Sequence, residues 1–345
     1  MTSRRVKRRN RLSRASPPAP AKAVERALPA ALGTVLRGRF ELVEVIGRGG
    51  LSTVYRAIDL VRRRARSADA EVALKVTDIG DGHGDDAAVL LHREGRRLME
   101  LSHPNIVGVR DFDRDGPLHF LVMELLQGRT LAQVLRERDA RPLEWMHAFA
   151  IVRALGGALD AVHRAGMVHG DVKPGNVFIT RGGGVKLIDF GTAQPILPPD
   201  HRPEDDETVV FVQRLRAVTP AYASPALLAG HPAEPRDDLF SLAVLVYVLL
   251  AGRHPFDGRS VAAAMADRLS PKRPAGLSDS TWSTLRDALA FEPDQRPDGV
   301  AEFVRRLTRP RLFDGVRTIA DPLLAGLRRL RSRIMSRRKP VKPGP

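Results

Sequence analysis

The sequence predicts an α+β fold of two lobes, a small β-rich N-terminal lobe at about residues 39–126 and a larger helical C-terminal lobe at about 127–308. Two observations predict it. Short β-branched, alternating segments crowd the first range, and apolar residues at helical spacing dominate the second. With 43% hydrophobic and 28% charged residues, the chain has the composition of a globular protein rather than of a disordered one.

The first lobe is predicted to hold a small sheet and one helix. The helix is expected around residues 87–101, where apolar residues recur at helical spacing. The strand segments are rich in β-branched residues and are broken by glycine or polar turns. Strands are predicted at residues 41–46, 53–58, 71–76, 107–111 and 119–125.

The second lobe is predicted to be mostly helical, with its clearest helices at residues 145–165, 238–251 and 282–290. The longest apolar run, residues 241–251, is shorter than the roughly 20 residues that cross a bilayer, so no transmembrane segment is expected. A small sheet followed by a helical half implies a cleft between two lobes.

The basic charge of the chain belongs to its ends. The 56 Lys and Arg residues exceed the 40 Asp and Glu residues by 16. Residues 1–26 hold nine basic residues and one Glu, and residues 309–345 hold eleven basic residues and two Asp, which leaves residues 27–308 a net charge of −1. We therefore expect a disordered basic arm at 1–38 and a separate basic tail at 309–345.

The basic tail has the pattern of an amphipathic helix, because Leu323, Leu327, Leu330 and Ile334 recur between arginines. Such a helix suits an anionic membrane surface, and docking on a protein surface explains it equally well. Nucleic acid ranks lower as a partner, because no reading motif or interleaved aromatic residues accompany the arginines. Without a secretory or membrane-spanning signal, we expect a cytoplasmic protein, with the inner face of the membrane as a peripheral site.

Cysteine is absent, which excludes disulfides, cysteine-ligated zinc and thiol nucleophiles. The histidines show no metal-ligand spacing, and His92, His163 and His254 are interpreted as ordinary structural or surface residues.

A glycine-rich hairpin is the first chemical signal. Residues 46–54 read Ile-Gly-Arg-Gly-Gly-Leu-Ser-Thr-Val and lie between two predicted strands. Glycines at such a tip let backbone N–H groups approach phosphate oxygens, although a glycine hairpin is as often only a turn. Because a strand follows it rather than a helix, the segment is not a dinucleotide-binding loop.

Lys75 lies in the middle of a predicted apolar strand, where a buried ammonium needs an anionic partner. Glu94, on the following predicted helix, is the expected partner. Taken alone, Lys75 would more simply be a lysine at a sheet edge that points to solvent.

The decisive segment is His-Gly-Asp-Val-Lys-Pro-Gly-Asn at residues 169–176, with a following Asp-Phe-Gly that begins at Asp189. Asp171 can orient a hydroxyl, Lys173 can neutralise phosphoryl charge, and Asn176 offers an amide to a metal ion. Asp189 can bridge that metal to nucleotide phosphates. Phosphoryl transfer needs positioning and charge neutralisation, and these groups supply both.

In this order the motifs resemble a eukaryotic-like serine/threonine protein kinase of the bacterial type, over about residues 40–306. The resemblance implies a bilobal protein-kinase-like fold. It also implies ATP as the phosphoryl donor, Mg²⁺ (with Mn²⁺ as an alternative) as the metal, and protein Ser/Thr hydroxyls as acceptors, in bacterial signalling and with autophosphorylation. The further segments that carry it are the helix-and-loop signal at 93–107, the hinge at 121–125 with Met123 as gatekeeper, Thr-Pro-Ala-Tyr-Ala-Ser-Pro at 219–225, Asp238, and Asp-Gln-Arg-Pro at 294–297.

The family roles carry over position by position. The resemblance implies that Asp171 orients the substrate hydroxyl, that Lys173 neutralises the γ-phosphoryl group, and that Asn176 and Asp189 hold the metal ion. The lysine that is fixed by Glu94 would hold the α- and β-phosphates. The implied nucleotide-binding residues are Ile46, Gly47, Arg48, Gly49, Gly50, Leu51, Ser52, Thr53, Val54, Ala73, Lys75, Glu94, Glu124, Leu126 and Phe178.

The adenine site is implied within that set. Val54, Ala73 and Phe178 would sandwich the base, and the backbone at Glu124 and Leu126 would face its edge.

Two positions depart from the family pattern. Gly170 replaces the arginine that usually precedes the catalytic aspartate and receives an activation-segment phosphate, so a phosphate switch is in doubt. Ala226 replaces the glutamate that usually pairs with the arginine matched by Arg296. Losing one member of a buried ion pair costs about 3–5 kcal/mol unless another group compensates.

Two other functions stay open. Small-molecule kinases of the aminoglycoside and choline type also carry His-Gly-Asp followed by an asparagine, but they generally lack the lysine at 173 and the long segment between residues 189 and 226. A pseudokinase scaffold is the non-enzymatic alternative, and the presence of Lys75, Asp171, Asn176 and Asp189 argues against it.

The activation segment contains an acidic cluster of Asp200, Glu204, Asp205, Asp206 and Glu207. A solvated loop explains it most simply, and a docking site for a basic tail is the sharper hypothesis. Thr192, Thr208 and Thr219 are candidate autophosphorylation sites, with Thr208 the most exposed by context. Thr219 is expected instead to contact Asp171 and Lys173.

Overall fold

The computed structural model describes residues 28–49, 52–78, 95–139, 141–197 and 219–308. Within these ranges, the N-terminal lobe is a six-stranded antiparallel sheet in the order β1-β2-β3-β4-β6-β5. Residues 95–100 form helix α2. The other elements of this lobe are β1 (Val35–Leu36), β2 (Phe40–Arg48), β3 (Ser52–Asp59), helix α1 (Leu60–Arg64), β4 (Glu71–Asp78), β5 (Val109–Asp115) and β6 (Leu118–Glu124).

The alternation of side chains on β3 and β4 separates the core from the cleft. Tyr55 and Leu74 are buried in the sheet core with Phe40 and Phe120. Because neighbouring residues of a strand point to opposite faces, Lys75 lies on the other face of the sheet from Leu74. The register pairs Val54 with Lys75 across the two strands. The residue expected to contact adenine and the residue expected to bind phosphate therefore lie on one face of the sheet.

The disordered arm that was predicted for residues 1–38 is too long. β1 pairs with β2, and Ala30 is buried, with its N–H and C=O both bonded to the Tyr55 hydroxyl at 3.3 and 2.9 Å. A short strand and a single buried alanine carry no periodic signal, and the basic residues beside them dominate the composition. Residues 1–27 lie outside the described part of the chain.

The C-terminal lobe is helical, as predicted. Its central helix contributes a continuous buried run from Asp237 to Tyr247. Short strands form two small antiparallel sheets, in the orders β10-β9-β7 and β11-β8. The helices are α3 (Leu131–Glu137), α4 (Trp145–Arg164), α5 (Pro225–Leu228), α6 (Pro235–Ala251), α7 (Val261–Ala266), α8 (Asp279–Ala288) and α9 (Val300–Leu307), and the strands are β7 (Gly128–Thr130), β8 (Met167–Val168), β9 (Val177–Thr180), β10 (Val185–Leu187) and β11 (Gln194–Pro195).

The two lobes are joined by backbone bonds behind the cleft. Ile106 forms a parallel bridge with Leu187, and the Val107 N–H donates to the Leu187 carbonyl at 3.0 Å. The sequence predicted a strand that begins at Val107, but β5 begins at Val109. The bonds to the other lobe explain the difference. The backbone at 106–107 is already paired with the other lobe.

Helices α6 and α8 begin earlier than predicted because of their caps. Glu234 and Asp237 form a reciprocal capping box around Pro235, so α6 begins three residues before Asp238. Ser278 caps α8, which begins at Asp279. The predicted two-lobed α+β architecture is confirmed.

None of the helices in the described ranges has both the length and the apolar character needed to cross a membrane.

Candidate active site

The glycine-rich segment forms the tip of the β2–β3 hairpin. The Gly49 N–H donates to the Ser52 carbonyl at 2.8 Å and closes the turn. A Cβ on Gly49 would lie 3.4 Å from that carbonyl oxygen, which is an ordinary van der Waals contact. Gly47 faces Val54 across the hairpin. Gly50 and Leu51 lie outside the described residues.

Lys75 extends from the sheet to the C-terminal lobe. Its Nζ lies 2.6 Å from Asp189 Oδ1, and its side chain is only 14% exposed. The positive charge of Lys75 is the main reason that the pKa of Asp189 falls to about 2. Lys75 is therefore not a solvent-facing edge lysine. Its expected partner Glu94 lies outside the described residues.

The Asp189 backbone adopts φ +64°, a left-handed conformation that aims its side chain at Lys75. The third residue of the Asp-Phe-Gly segment lies close to both charged groups. A Cβ on Gly191 would lie 2.8 Å from Lys75 Nζ and 3.3 Å from Asp189 Oδ1. A side chain there would displace the end of Lys75 from its position beside Asp189.

Asp171 is the centre of a second cluster. Its Oδ2 lies 2.5 Å from Lys173 Nζ and accepts from Asn176 Nδ2 at 2.9 Å, while its Oδ1 accepts from the Thr219 N–H at 3.2 Å. Lys173 also donates to the Thr219 hydroxyl at 2.6 Å. The expected contacts of Thr219 with Asp171 and Lys173 are present, and Asp171 is only 6% exposed.

The backbone of this loop is held by one buried carboxylate. Asp238 accepts from the N–H groups of His169 at 2.8 Å and Gly170 at 2.9 Å, and its Oδ2 lies 2.8 Å from His163 Nε2. Burial alone would raise the pKa of Asp238, but the bonds from His163 and from the backbone hold it below its usual value. His163 is thus a structural residue with a definite partner.

Gly170 sits where a side chain would be strained. Its φ is +78°, and a Cβ there would lie 2.9 Å from the Thr192 carbonyl oxygen. Thr192 itself is buried and donates its hydroxyl to the His169 carbonyl at 3.0 Å. A candidate autophosphorylation site must expose its hydroxyl, so Thr192 is a structural residue in this conformation. Thr208 and the acidic cluster lie outside the described residues.

The hinge contains a contact that the sequence did not suggest. Glu124 Oε1 accepts from the Gly108 N–H at 2.7 Å and lies 2.5 Å from Lys186 Nζ, and Lys186 also donates to the Ile106 carbonyl at 3.1 Å. The Glu124 side chain therefore joins β6 to the lobe junction. A lone lysine on a short strand offered no signal for this pairing.

The apolar residues expected around adenine come from both lobes. In the N-terminal sheet, Ala73 pairs with Met123 across β4 and β6. Phe178 comes from β9, where it pairs with Thr130 of β7. Leu126 packs against the main core beside the hinge.

Because residue 226 is alanine, the sequence predicted that Arg296 lacks a carboxylate partner. In the structure Arg296 has one. Its guanidinium is fully buried and lies 3.7 Å from the Asp237 carboxylate. It also donates to three backbone carbonyls at 2.8–2.9 Å and stacks over Phe240 at 4.9 Å. The neighbouring Asp-Asp pair at 237–238 is the signal that could have identified this partner.

The oxygen donors in the cleft fit a hard divalent cation. Lys75 and the Gly191 N–H both bond Asp189 Oδ1, and Asp189 Oδ2 takes part in neither bond. Asn176 donates through its nitrogen, so its amide oxygen is free of that bond. A carboxylate and an amide oxygen, completed by phosphate and water, are typical Mg²⁺ ligands. No cluster of three or more His, Asp or Glu side chains that could hold a metal by itself occurs in the described ranges.

Comparison with known proteins identifies the family of the chain. Residues 40–307 match the family model described as a protein kinase domain. The chain is 38% identical over 241 residues to "Serine/threonine-protein kinase PknL" of Mycobacterium tuberculosis, covering 70% of this chain and 56% of PknL. It is 35% identical over 269 residues to "Serine/threonine-protein kinase PkaA" of Streptomyces coelicolor, covering 75% of this chain and 48% of PkaA.

Among solved structures, the fold resembles the PknI kinase domain of Mycobacterium tuberculosis. The TM-score is 0.61 at 25% identity, and the match covers 81% of this chain and 98% of that one. The curated relatives are longer, because the chain spans between 36% and 56% of the length of PknL, PkaA and a Clostridium perfringens relative.

Proposed function

The chain belongs to the protein kinase family, and we propose that it is a bacterial serine/threonine kinase that transfers the ATP γ-phosphoryl group to Ser or Thr hydroxyls of proteins. The observation that carries the proposal is the cluster around Asp171, in which Lys173, Asn176 and Thr219 all contact one carboxylate. We take about residues 39–308 as the catalytic domain, and autophosphorylation and a signalling role as parts of the same proposal.

Protein kinases use ATP and a divalent metal ion. We assign the phosphates to the glycine-rich segment 46–54 and to Lys75, because backbone N–H groups and a buried ammonium stabilise phosphate charge. Val54, Ala73 and Phe178 would enclose the adenine, with Glu124 and Leu126 at its edge. The metal is assigned to Asn176 and Asp189, whose hard oxygen donors suit Mg²⁺ and also Mn²⁺. When bound, the metal would shield the phosphate oxygens and orient them.

The role of Asp171 follows from its bonds. Thr219, Asn176 and Lys173 fix both carboxylate oxygens, so the carboxylate is preorganised to receive a hydrogen bond from the substrate hydroxyl. The hydroxyl oxygen would attack the γ-phosphorus as the bond to the β-phosphate breaks, and the hydroxyl proton would pass to Asp171. Lys173 would neutralise the charge that develops on the transferred group.

A protein substrate fits the site better than a small molecule does. Residues 219–224 are fastened to the catalytic loop and to helix α6 at several points, which provides a rigid surface beside Asp171. A small-molecule acceptor would need no such surface.

The test of the function is a labelled-ATP assay with the wild type and Asp171→Asn. We expect the variant to lose about 10²–10⁴-fold in rate, because proton transfer and hydroxyl orientation are both impaired. Asp160→Asn, at a surface aspartate of α4, is the matched control and should retain the wild-type rate. Equal labelling in wild type and Asp171→Asn would refute the assignment. Nucleotide binding without labelling would favour a pseudokinase, and transfer to small molecules alone would favour the other enzyme class.

We further propose that the basic tail 309–345, outside the described residues, holds the enzyme at an anionic membrane surface. Its charge and its apolar spacing support this partner. Full-length protein should sediment with vesicles that contain phosphatidylserine and less so at high salt, whereas protein truncated after residue 308 should stay in the supernatant. Equal behaviour of the two proteins would reject the proposal.

A further inference from the structure

The segment that ends at Ser224 is attached to the rest of the lobe at each end. At its beginning, Thr219 contacts Asp171 and Lys173. Between the ends, two carbonyls of the segment are engaged by side chains from the body of the lobe. Those bonds are His254 Nε2 to the Ala221 carbonyl at 2.8 Å and the Ser241 hydroxyl to the Tyr222 carbonyl at 2.8 Å.

The far end of the segment is attached through a buried carboxylate. The Ser224 hydroxyl donates to Asp237 Oδ1 at 2.5 Å, and both residues are almost fully buried. The second oxygen of Asp237 accepts from the Glu234 N–H at 2.8 Å, as part of the cap of helix α6. One carboxylate therefore joins the segment to the first turn of the central helix.

Asp237 also forms an ion pair with Arg296. Among the described residues, it is the carboxylate that pairs with this guanidinium, at 3.7 Å. Burial raises the pKa of Asp237 and lowers that of Arg296, and the attraction between the two opposite charges acts against both shifts. A neutral residue at position 237 would leave the buried guanidinium with three backbone carbonyls and the Phe240 ring but without its paired carboxylate.

We infer that Asp237 is a positioning residue for phosphoryl transfer, which holds Ser224 against Arg296 and helix α6 so that Thr219 stays in contact with Asp171 and Lys173. The inference rests on the proposed function. Asp237 acts through the segment 219–224, because among the described bonds it contacts neither Asp171 nor Lys173. The buried charge of Asp237 would then hold in place the segment 219–224, which lies beside the catalytic residues.

Two variants separate the parts of this attachment. Ser224→Ala removes the hydroxyl that joins the segment to Asp237 and leaves the Asp237–Arg296 pair intact. Asp237→Asn keeps an acceptor of similar shape but removes the charge that faces Arg296. Ser224 also caps α5 through the Leu227 N–H at 3.2 Å. The matched control is therefore Ser278→Ala, which removes an equivalent 3.2 Å cap from α8.

The full-length variants are compared in kcat and KM for a peptide substrate, in the Kd of an ATP analogue, and in Tm. We expect Ser224→Ala and Asp237→Asn each to lower kcat/KM for the peptide by about tenfold, with the Kd for nucleotide unchanged within about twofold. The double variant should lose less than the product of the two single losses, because both changes weaken the same attachment of Ser224 through Asp237 to helix α6. Amide exchange across residues 219–224 should be faster in both variants and unchanged in Ser278→Ala.

The opposite results are equally distinct. If Ser224→Ala lowers Tm as Ser278→Ala does but leaves peptide kcat/KM and amide exchange unchanged, Asp237 merely stabilises the fold and the inference is wrong. Should Asp237→Asn fail to fold, Ser224→Ala decides alone, since it retains the buried ion pair. A wild type that binds ATP but transfers no phosphoryl group would overturn the proposed function itself, and this inference with it.

Discussion

The surface of the N-terminal sheet and the interior of the C-terminal lobe use charged residues in opposite ways. On the sheet, Arg37 and Asp113 pair at 3.2 Å with side chains 57% and 36% exposed. In the other lobe, Asp238 is fully buried and accepts bonds from the catalytic-loop backbone. Exposed pairs typically contribute about 0–1 kcal/mol, whereas breaking a buried one costs about 3–5 kcal/mol. The buried charges therefore hold the loop geometry, and the exposed ones add little to stability.

The largest effect is expected from Asp238→Ala, which leaves the N–H groups of His169 and Gly170 without their acceptor. We expect the free energy of unfolding to fall by about 3–5 kcal/mol, measured by urea denaturation. Arg37→Ala, which removes a surface ion pair, is the control and should leave the urea midpoint unchanged within error. Similar midpoints for the two variants would contradict the claim that the buried charge contributes more to stability than the exposed pair.

An intermediate effect is expected from Gly170→Ala, because the new Cβ would meet both a left-handed φ and the Thr192 carbonyl oxygen. The loss of stability should be about 1–3 kcal/mol. Gly166→Ala separates the two causes, since Gly166 has φ +73° but nothing within 4 Å of its Cβ position. A thermal melt should show the larger fall in Tm for Gly170→Ala. Equal falls would mean that backbone strain alone explains the glycine.

The smallest effect concerns the ion pair between the lobes. Because the pKa of Asp189 is about 2 when folded and 3.8 ordinarily, its contribution to stability is present above pH 3.8 and is lost as the pH falls toward 2. The carboxylate is 47% exposed, so we expect this contribution to stay below about 1 kcal/mol. In Lys75→Met, an NMR titration should find the pKa of Asp189 raised toward 3.8. Lys186→Met, the control, should leave that pKa at about 2.

Much of the fold and of the site was predictable from the sequence. The strands at β2, β3, β4 and β6 follow the alternation of their residues, and helices α4 and α6 follow apolar spacing. Asp171, Lys173 and Asn176 lie together because only a few residues separate them on one loop. By contrast, the sequence predicted a disordered arm where β1 forms. Helix α1 was missed because its five residues are too few for a periodic pattern.

The errors and omissions at the site share one cause. The pairing of Arg296 with Asp237 joins positions 59 residues apart, and that of Lys186 with Glu124 joins positions 62 apart. Neither contact lies within the range of a local pattern. The alanine at position 226 led to the expectation that Arg296 lacks a partner. That expectation is wrong, because the fold brings Asp237 to Arg296.

By itself, the sequence determined the order of the phosphate-handling residues, the two lobes and the family, because those depend on residue type and on short spacings. It also separated the basic tails from a core of near-zero net charge. Only the tertiary structure decided which buried charges meet, since desolvation makes each of them depend on a partner that packing must deliver. Asp237 shows the difference. In the sequence it is one of two adjacent aspartates, and in the folded protein it joins Ser224, helix α6 and Arg296.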